Sequence, residues 1–228
     1  MKFYYYLFLF LLFSCNTDKD YDAFENKLKN LLKSHKGTFA IALKNMNDGK
    51  SVLINENEVF HAASTMKTPV MIEFFKKINE GKISSDDSLL INNEFSSIVD
   101  GSKFELSSFD DSDEDIYENL GKYISTDKLV YDMITRSSNF GTNLLIDYLN
   151  AEDVNNTMKN IGAKNMKVLR GVGDLKAFDL GLSNTTTAAD LLIIYEKLAM
   201  GEIVNNESSN KMIRICLLYT SDAADDIP

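Results

Sequence analysis

Phe24, Leu28, Leu31 and Leu32 recur at three- and four-residue intervals in a polar stretch, which predicts an amphipathic helix over residues 22–34. The period then shortens. Residues 38–43 are rich in apolar side chains with weak alternation, Asn47-Asp48-Gly49 is a turn sequence, and residues 51–54 form a second extended run. An antiparallel hairpin is therefore predicted. From residue 64 to 78 the helical period returns and stops at Gly81. Two more helices are predicted over 126–134 and 142–149, leaving Ser137-Ser138-Asn139 on the connection between them. A helix over 154–161 ends at Gly162, in the manner of a C-terminal glycine cap. Residues 169–184, with several Gly and Asp, predict a long ordered loop, and Thr185-Thr186-Thr187 supplies an N-cap for a helix over 188–200. No internal repeat is visible. The pattern predicts a strand hairpin followed by a mostly helical lobe.

The N-terminus has a different character. Met1-Lys2 precedes an apolar run, residues 3–13, that is too short to span a bilayer but suits the core of a signal peptide. The run ends at Leu12-Phe13-Ser14-Cys15, which resembles a bacterial lipobox. Residues 1–14 are then a lipoprotein signal peptide, Cys15 the lipidated residue, and residues 15–21 a polar tether. On that basis the protein is expected in the bacterial cell envelope, held at a membrane surface by its lipid anchor. The other cysteine is Cys216, so no structural disulfide is expected.

Composition narrows the function classes. A chain of 228 residues, 44% hydrophobic and 25% charged, has room for one large domain or a domain of two lobes. A net charge of −10 without a basic block argues against a nucleic-acid partner. The run from Asp110 to Asp115 lacks the ligand order of a calcium loop and is expected to be a solvated loop or helix start. His35 and His61 are distant and join no Cys/His cluster, so neither a metal nor another cofactor is expected. His61 lies three residues before Ser64 and is read as packing at the helix start.

Chemistry enters with Ser64-Thr65-Met66-Lys67. On a helix, residues i and i+3 share a face, so a hydroxyl and an amine project together. A serine hydroxyl becomes a nucleophile when a base takes its proton, and burial lowers the pKa of a lysine toward that task. The helix start at Ser64 would favour charge developing on a substrate oxygen. Ser137 and Asn139 add a second hydroxyl and a carboxamide. Together these suggest acyl transfer through a serine ester.

Ser64-x-x-Lys67, the segment from Met133 to Asn139 with Thr142-Asn143-Leu144-Leu145-Ile146, and the segment from Thr185 to Leu191 follow one another in an order and spacing that resemble the class A β-lactamase and penicillin-binding serine hydrolases. The resemblance runs from about Phe39 to Ile215. It implies an α+β fold of the β-lactamase/transpeptidase type, an α/β sandwich lobe plus an all-helical lobe with the active site between them. It also implies Ser64 as the acylated nucleophile, Lys67 as base, Ser137 as proton shuttle toward the leaving nitrogen, and Asn139 as donor to the substrate's amide side chain. The function implied is hydrolysis of β-lactams by a monomer with a β-lactam or peptidoglycan-like substrate. The alternatives are a penicillin-binding carboxypeptidase or esterase-like hydrolase with poor β-lactam turnover, and a non-catalytic envelope binding lipoprotein.

Three departures qualify it. Ser138 stands where the family has an aspartate. Val172 falls where the deacylating glutamate is expected and Lys176 where an asparagine helps hold water; Asp174 is the nearest carboxylate, read either as a substitute base or as a brace for the loop with Arg170. No K-T-G follows Thr187, and residues 216–228 resemble translated sequencing adapter. The expectation is a partial hydrolase domain over 22–215, its C-terminal strands missing, followed by a non-native tail, and inactive in that form.

Overall fold

In the computed structural model, which describes residues 17–225, the first helix α1 (Thr17–Lys33) begins inside the stretch read as a tether. Cys15 and residues 1–14 lie outside the described residues. The predicted hairpin is present as β1 (Ile41–Lys44) and β2 (Ser51–Ile54), antiparallel with Ile41 opposite Ile54. Alternation sets its faces: Val52 and Ile54 are buried while Ser51 and Leu53 face outward. Tyr21 of α1 reaches the hairpin, its hydroxyl donating to Asp48 and accepting from Asn45 Nδ2 at 2.9 Å.

β3 (Phe60–His61) leads into a 3-10 turn, Ala63–Met66, and then α2 (Lys67–Asn79). Every residue of α2 from Lys67 to Phe75 is buried, which makes it the central helix of the molecule. Glu73 lies within that run, and its carboxylate accepts from Thr157 Oγ1, so the polar group is partnered inside the core. Residues 82–125, for which the hydrophobic pattern predicts no element, form short ribbons and turns. β4 (Ser88–Leu90) pairs with β7 (Tyr123–Ser125), and β5 (Phe95–Ser96) with β6 (Lys103–Phe104), with 3-10 turns at Ser108–Asp110 and Glu114–Asn119 between them.

The remaining helices are α3 (Thr126–Thr135), α4 (Asn139–Leu149), α5 (Ala151–Ile161), the short α6 (Leu175–Asp179), α7 (Ala188–Ala199) and α8 (Asn206–Asp225). α4 starts three residues earlier than predicted, because Ser138 and Asp111 cap it there. Gly162 has a φ of 109° and closes α5 as predicted. α6 interrupts the predicted loop, and Thr185–Thr186 form β8, which pairs with β3; Thr187 alone caps α7, accepting from Asp190 N at 3.0 Å. α8 continues across residue 216, with Ile215 and Cys216 against the core.

The core runs through Met66, Ile72, Phe74, Leu129, Met133, Phe140, Leu149 and Met158, joining α2 to α3, α4 and α5. α7 packs on β1, where Lys44 and Glu196 form an ion pair. The fold is thus α+β, a hairpin layered with helices beside a helical lobe. Among the described residues no helix is long and apolar enough to cross a membrane.

Candidate active site

Ser64 sits on the 3-10 turn and is exposed, whereas Lys67 begins α2 and is only 3% exposed. The residue before the serine, Ala63, has a φ of 45°, and Ser137 has a φ of 57°. Both lie in the left-handed region, which costs a non-glycine residue of order 1 kcal/mol or more and persists only where surrounding contacts impose it. Here those contacts are visible. Ala62 N donates to Asn184 O at 2.8 Å, tying the approach to Ser64 against β8. On the other side Ser138 N donates to Asp132 O at 3.2 Å.

Ser137 stands between the two groups of the S-x-x-K pair. Ser64 Oγ lies 3.1 Å from Ser137 Oγ, and Lys67 Nζ donates to Ser137 Oγ at 2.9 Å, to Ser137 O at 2.6 Å and to Asn139 Oδ1 at 3.0 Å. The hydrogen-bonded path from Ser64 to Lys67 therefore runs through the second serine. Burial brings the Lys67 amine down to about 8, with the Asp111 carboxylate pulling the other way. A hydroxyl relay ending on an amine of that pKa can take a proton from Ser64 and return one to a leaving group.

A cavity of about 390 Å³ opens beside Ser64, lined also by Lys67, Asn139, Val172, Phe178 and Asn184. Ser64, Lys67, Ser137 and Asn139 are thus brought together. Asp174 also lines the cavity, but its carboxylate is committed elsewhere. It accepts from Ser97 Oγ, from Ile98 N at 2.9 Å and from Ala177 N at 3.1 Å. Burial pushes its pKa upward, and these donors outweigh that and hold it below the usual carboxylate range. Its hydrogen-bond partners are thus Ser97, Ile98 and Ala177, not the Arg170 side chain. Arg170 instead donates to Leu182 O at 3.0 Å and Gly171 O at 3.0 Å. Lys176 points away, to Asp100 Oδ2 at 2.9 Å and Ser102 Oγ at 2.6 Å. His61 is on β3 and meets the Phe178 ring edge to face, 6.3 Å between centroids.

The acidic run is not a solvated loop throughout. Asp111 and Asp113 are buried. Asp111 accepts from Asn139 N at 3.0 Å, Phe140 N at 2.8 Å and Tyr117 OH at 3.1 Å. The amides at the start of α4 need an acceptor, and an aspartate satisfies them with favourable charge.

Two carboxamides are further residues that hold the site. Asn143 accepts from Val172 N at 2.6 Å and donates to Val172 O at 2.9 Å. Asn184 brackets Arg170 likewise, accepting from Arg170 N at 3.1 Å and donating to Arg170 O at 2.9 Å. Asn143 had a signal, a polar residue on a buried helix beside Leu144, Leu145 and Ile146. Asn184 and Asp111 had none, because their partners are distant in sequence.

The sequence model of the β-lactamase enzyme family matches residues 23–223. Among solved structures, PBP-A is similar at 25% identity and a TM-score of 0.70, covering 85% of this chain and 67% of its own. A β-lactamase from Sphaerobacter thermophilus is similar at 21% identity and a TM-score of 0.67, covering 84% of this chain and 66% of its own. The TLA-3 extended-spectrum β-lactamase is similar at 21% identity and a TM-score of 0.68, covering 83% and 66%. The chain spans about two thirds of the length of these structures. No curated protein sequence matches it.

Proposed function

We propose, for a chain that belongs to the β-lactamase enzyme family and the serine β-lactamase and penicillin-binding superfamily, that its Ser64 is acylated by β-lactams and that the acyl-enzyme is hydrolysed slowly. The observation that carries the first half is the path Ser64 Oγ, Ser137 Oγ, Lys67 Nζ with an amine lowered to about 8. In the forward step Ser64 Oγ bonds to the lactam carbonyl carbon. Its proton passes to Ser137 Oγ, and the Ser137 proton passes to Lys67. The carbon–nitrogen bond then breaks, and the nitrogen receives a proton back through Ser137. Asn139, whose carboxamide oxygen accepts from Lys67, would hold the substrate's amide side chain, the role the family resemblance implies.

The second half rests on the cavity wall. Hydrolysis of the ester needs a base for water. Among the described residues lining the cavity, Asp174 is the single carboxylate, and its oxygens already take three donors. Val172 offers none. That favours a penicillin-binding type of hydrolase, acting on a peptidoglycan-like substrate, over efficient β-lactam turnover, which is the second reading. Cys15 as lipid anchor and the envelope as location remain part of this proposal.

Intact-mass spectrometry of the full-length protein mixed with a penicillin tests both halves. The expected result is a stoichiometric adduct that Ser64→Ala abolishes and that persists for minutes or longer. Clearance within seconds would favour the lactamase, and absence of an adduct on a folded protein would remove the catalytic reading.

A further inference from the structure

The first turn of α4 carries the two residues that touch Lys67, Ser137 just before it and Asn139 at its start. Its leading amides are shared between two acceptors from different parts of the chain. Asp111 takes Asn139 N and Phe140 N, while Ser138 Oγ takes Gly141 N at 3.0 Å. A helix start of this kind accommodates one carboxylate well, since it offers a limited set of N–H donors and about half a positive charge. The family resemblance puts an aspartate at position 138, inside the catalytic turn. Here that position is Ser138, fully buried and neutral, and a carboxylate arrives instead from residue 111.

We propose that Asp111 is the positioning residue for Ser137 and Asn139, supplying from a separate loop the negative charge that position 138 lacks. The loop is built for this. Asp111 also accepts from its own Asp113 N at 3.2 Å and from Tyr117 OH, and Asn139 Nδ2 donates to Asp110 O at 3.3 Å. Arg136, next to Ser137, closes the same loop with ion pairs to Asp113 at 2.7 Å and Asp115 at 2.9 Å. The loop and the catalytic turn are therefore one hydrogen-bonded unit. The charged groups around it are Asp110, Asp113, Asp115 and Arg136. Facing Lys67, the charge that acts is Asp111; His61, Arg170 and Asp174 line the cavity beyond it.

The inference rests on the acyl-transfer reading, and two measurements on the full-length protein keep the two apart. Competitive acetylation of Lys67, read by mass spectrometry across pH, follows its titration with no β-lactam present. Adduct formation at Ser64 with a penicillin reports acylation. Asp111→Asn keeps the shape and one of the two acceptor oxygens but loses the charge; it should lower the Lys67 midpoint by about one pH unit and, compared above about pH 9 where the amine is mostly neutral in both proteins, slow acylation about tenfold. Ser138→Asp should slow acylation in the native background, where two carboxylates would crowd one helix start. In the Asp111→Asn background the same change should restore the rate and the Lys67 midpoint. That reversal of sign is the decisive result. Additive effects of the two substitutions, or a Lys67 midpoint unmoved by Asp111→Asn, would overturn the proposal. Should Asp111→Asn fail to fold, the double variant decides: folded and titrating normally supports it, and unfolded overturns it. A wild-type protein that forms no adduct, while Asp111→Asn still moves Lys67, sinks the acyl-transfer reading and leaves this positioning in place.

Discussion

Lys67 is where the proposed chemistry and stability oppose each other. Its amine is buried among Ser137 and Asn139, and desolvation holds it at about 8 against 10.5 for a free lysine. Acylation that uses the neutral amine should climb with pH and level off above about 8, measured as the rate of adduct formation from pH 6 to 10; a flat profile would exclude Lys67 as base. The same shift has a consequence for folding. Between about 8 and 10.5 the unfolded chain holds a proton that the folded chain has released, so stability rises with pH across that window. Below it, the buried charge costs the fold on the order of 3 kcal/mol. Lys67→Met removes the titration and keeps the volume. Its melting temperature relative to the native protein should therefore be higher at pH 7 than at pH 10. An equal difference at both pH values would show that Lys67 does not titrate across this window. The S-x-x-K spacing was enough to bring Ser64 and Lys67 to one place. It could not show that Ser137 stands between them, because that contact spans 70 residues of chain and depends on a left-handed φ at a serine.

At the scale of elements, the loop from Arg170 to Asp174 is held by side chains that come from elsewhere. Asn143 binds both polar groups of Val172, Asn184 binds both of Arg170, and Ser97 with Ile98 N anchors Asp174. The helices themselves were legible, since α2, α3, α5 and α7 each follow an apolar period with a recognisable start or stop. The ribbons between residues 88 and 125 were not. Their strands are two or three residues long, too short to show alternation, and tertiary pairing decides them. Gly171 shows how tight the loop is: a Cβ there would lie 2.4 Å from Asn143 Oδ1. Gly171→Ala should therefore displace the Asn143 carboxamide and lower stability by about 1–3 kcal/mol, the usual cost of leaving buried backbone groups unpaired. Asn143→Ala removes the same bonds and also the obstacle. The two substitutions together should then cost clearly less than the sum of each alone in a denaturant-unfolding cycle. Simple additivity would mean that the alanine methyl and the carboxamide do not meet.

Across the whole molecule the burial is uneven, and that sets an order of opening. α2 is buried continuously from Lys67 to Phe75 and is contacted by α3, α4, α5 and α8. The β1–β2 ribbon buries Val52 and Ile54, while Leu43 and Leu53 remain exposed, and among the described residues each of its strands pairs only with the other. A two-stranded ribbon has little independent stability and depends on what packs against it, here α7 on β1 and α1 on β2. The amides of β1 and β2 should then exchange through local opening, and those of α2 only when the helical lobe unfolds as a unit. The candidate site sits on the protected side of that division, with Ser64 and Lys67 at the head of α2 and Asn139 at the head of α4. Hydrogen exchange followed by mass spectrometry should find peptides from residues 41–54 exchanging at least about tenfold faster than those from residues 67–79. Acylation of Ser64 should add protection around residues 137–143 and 170–174, the segments hydrogen-bonded to one another and to Lys67, and leave the β1–β2 peptides unchanged. Equal protection of ribbon and helix would mean that the two lobes open as one cooperative body.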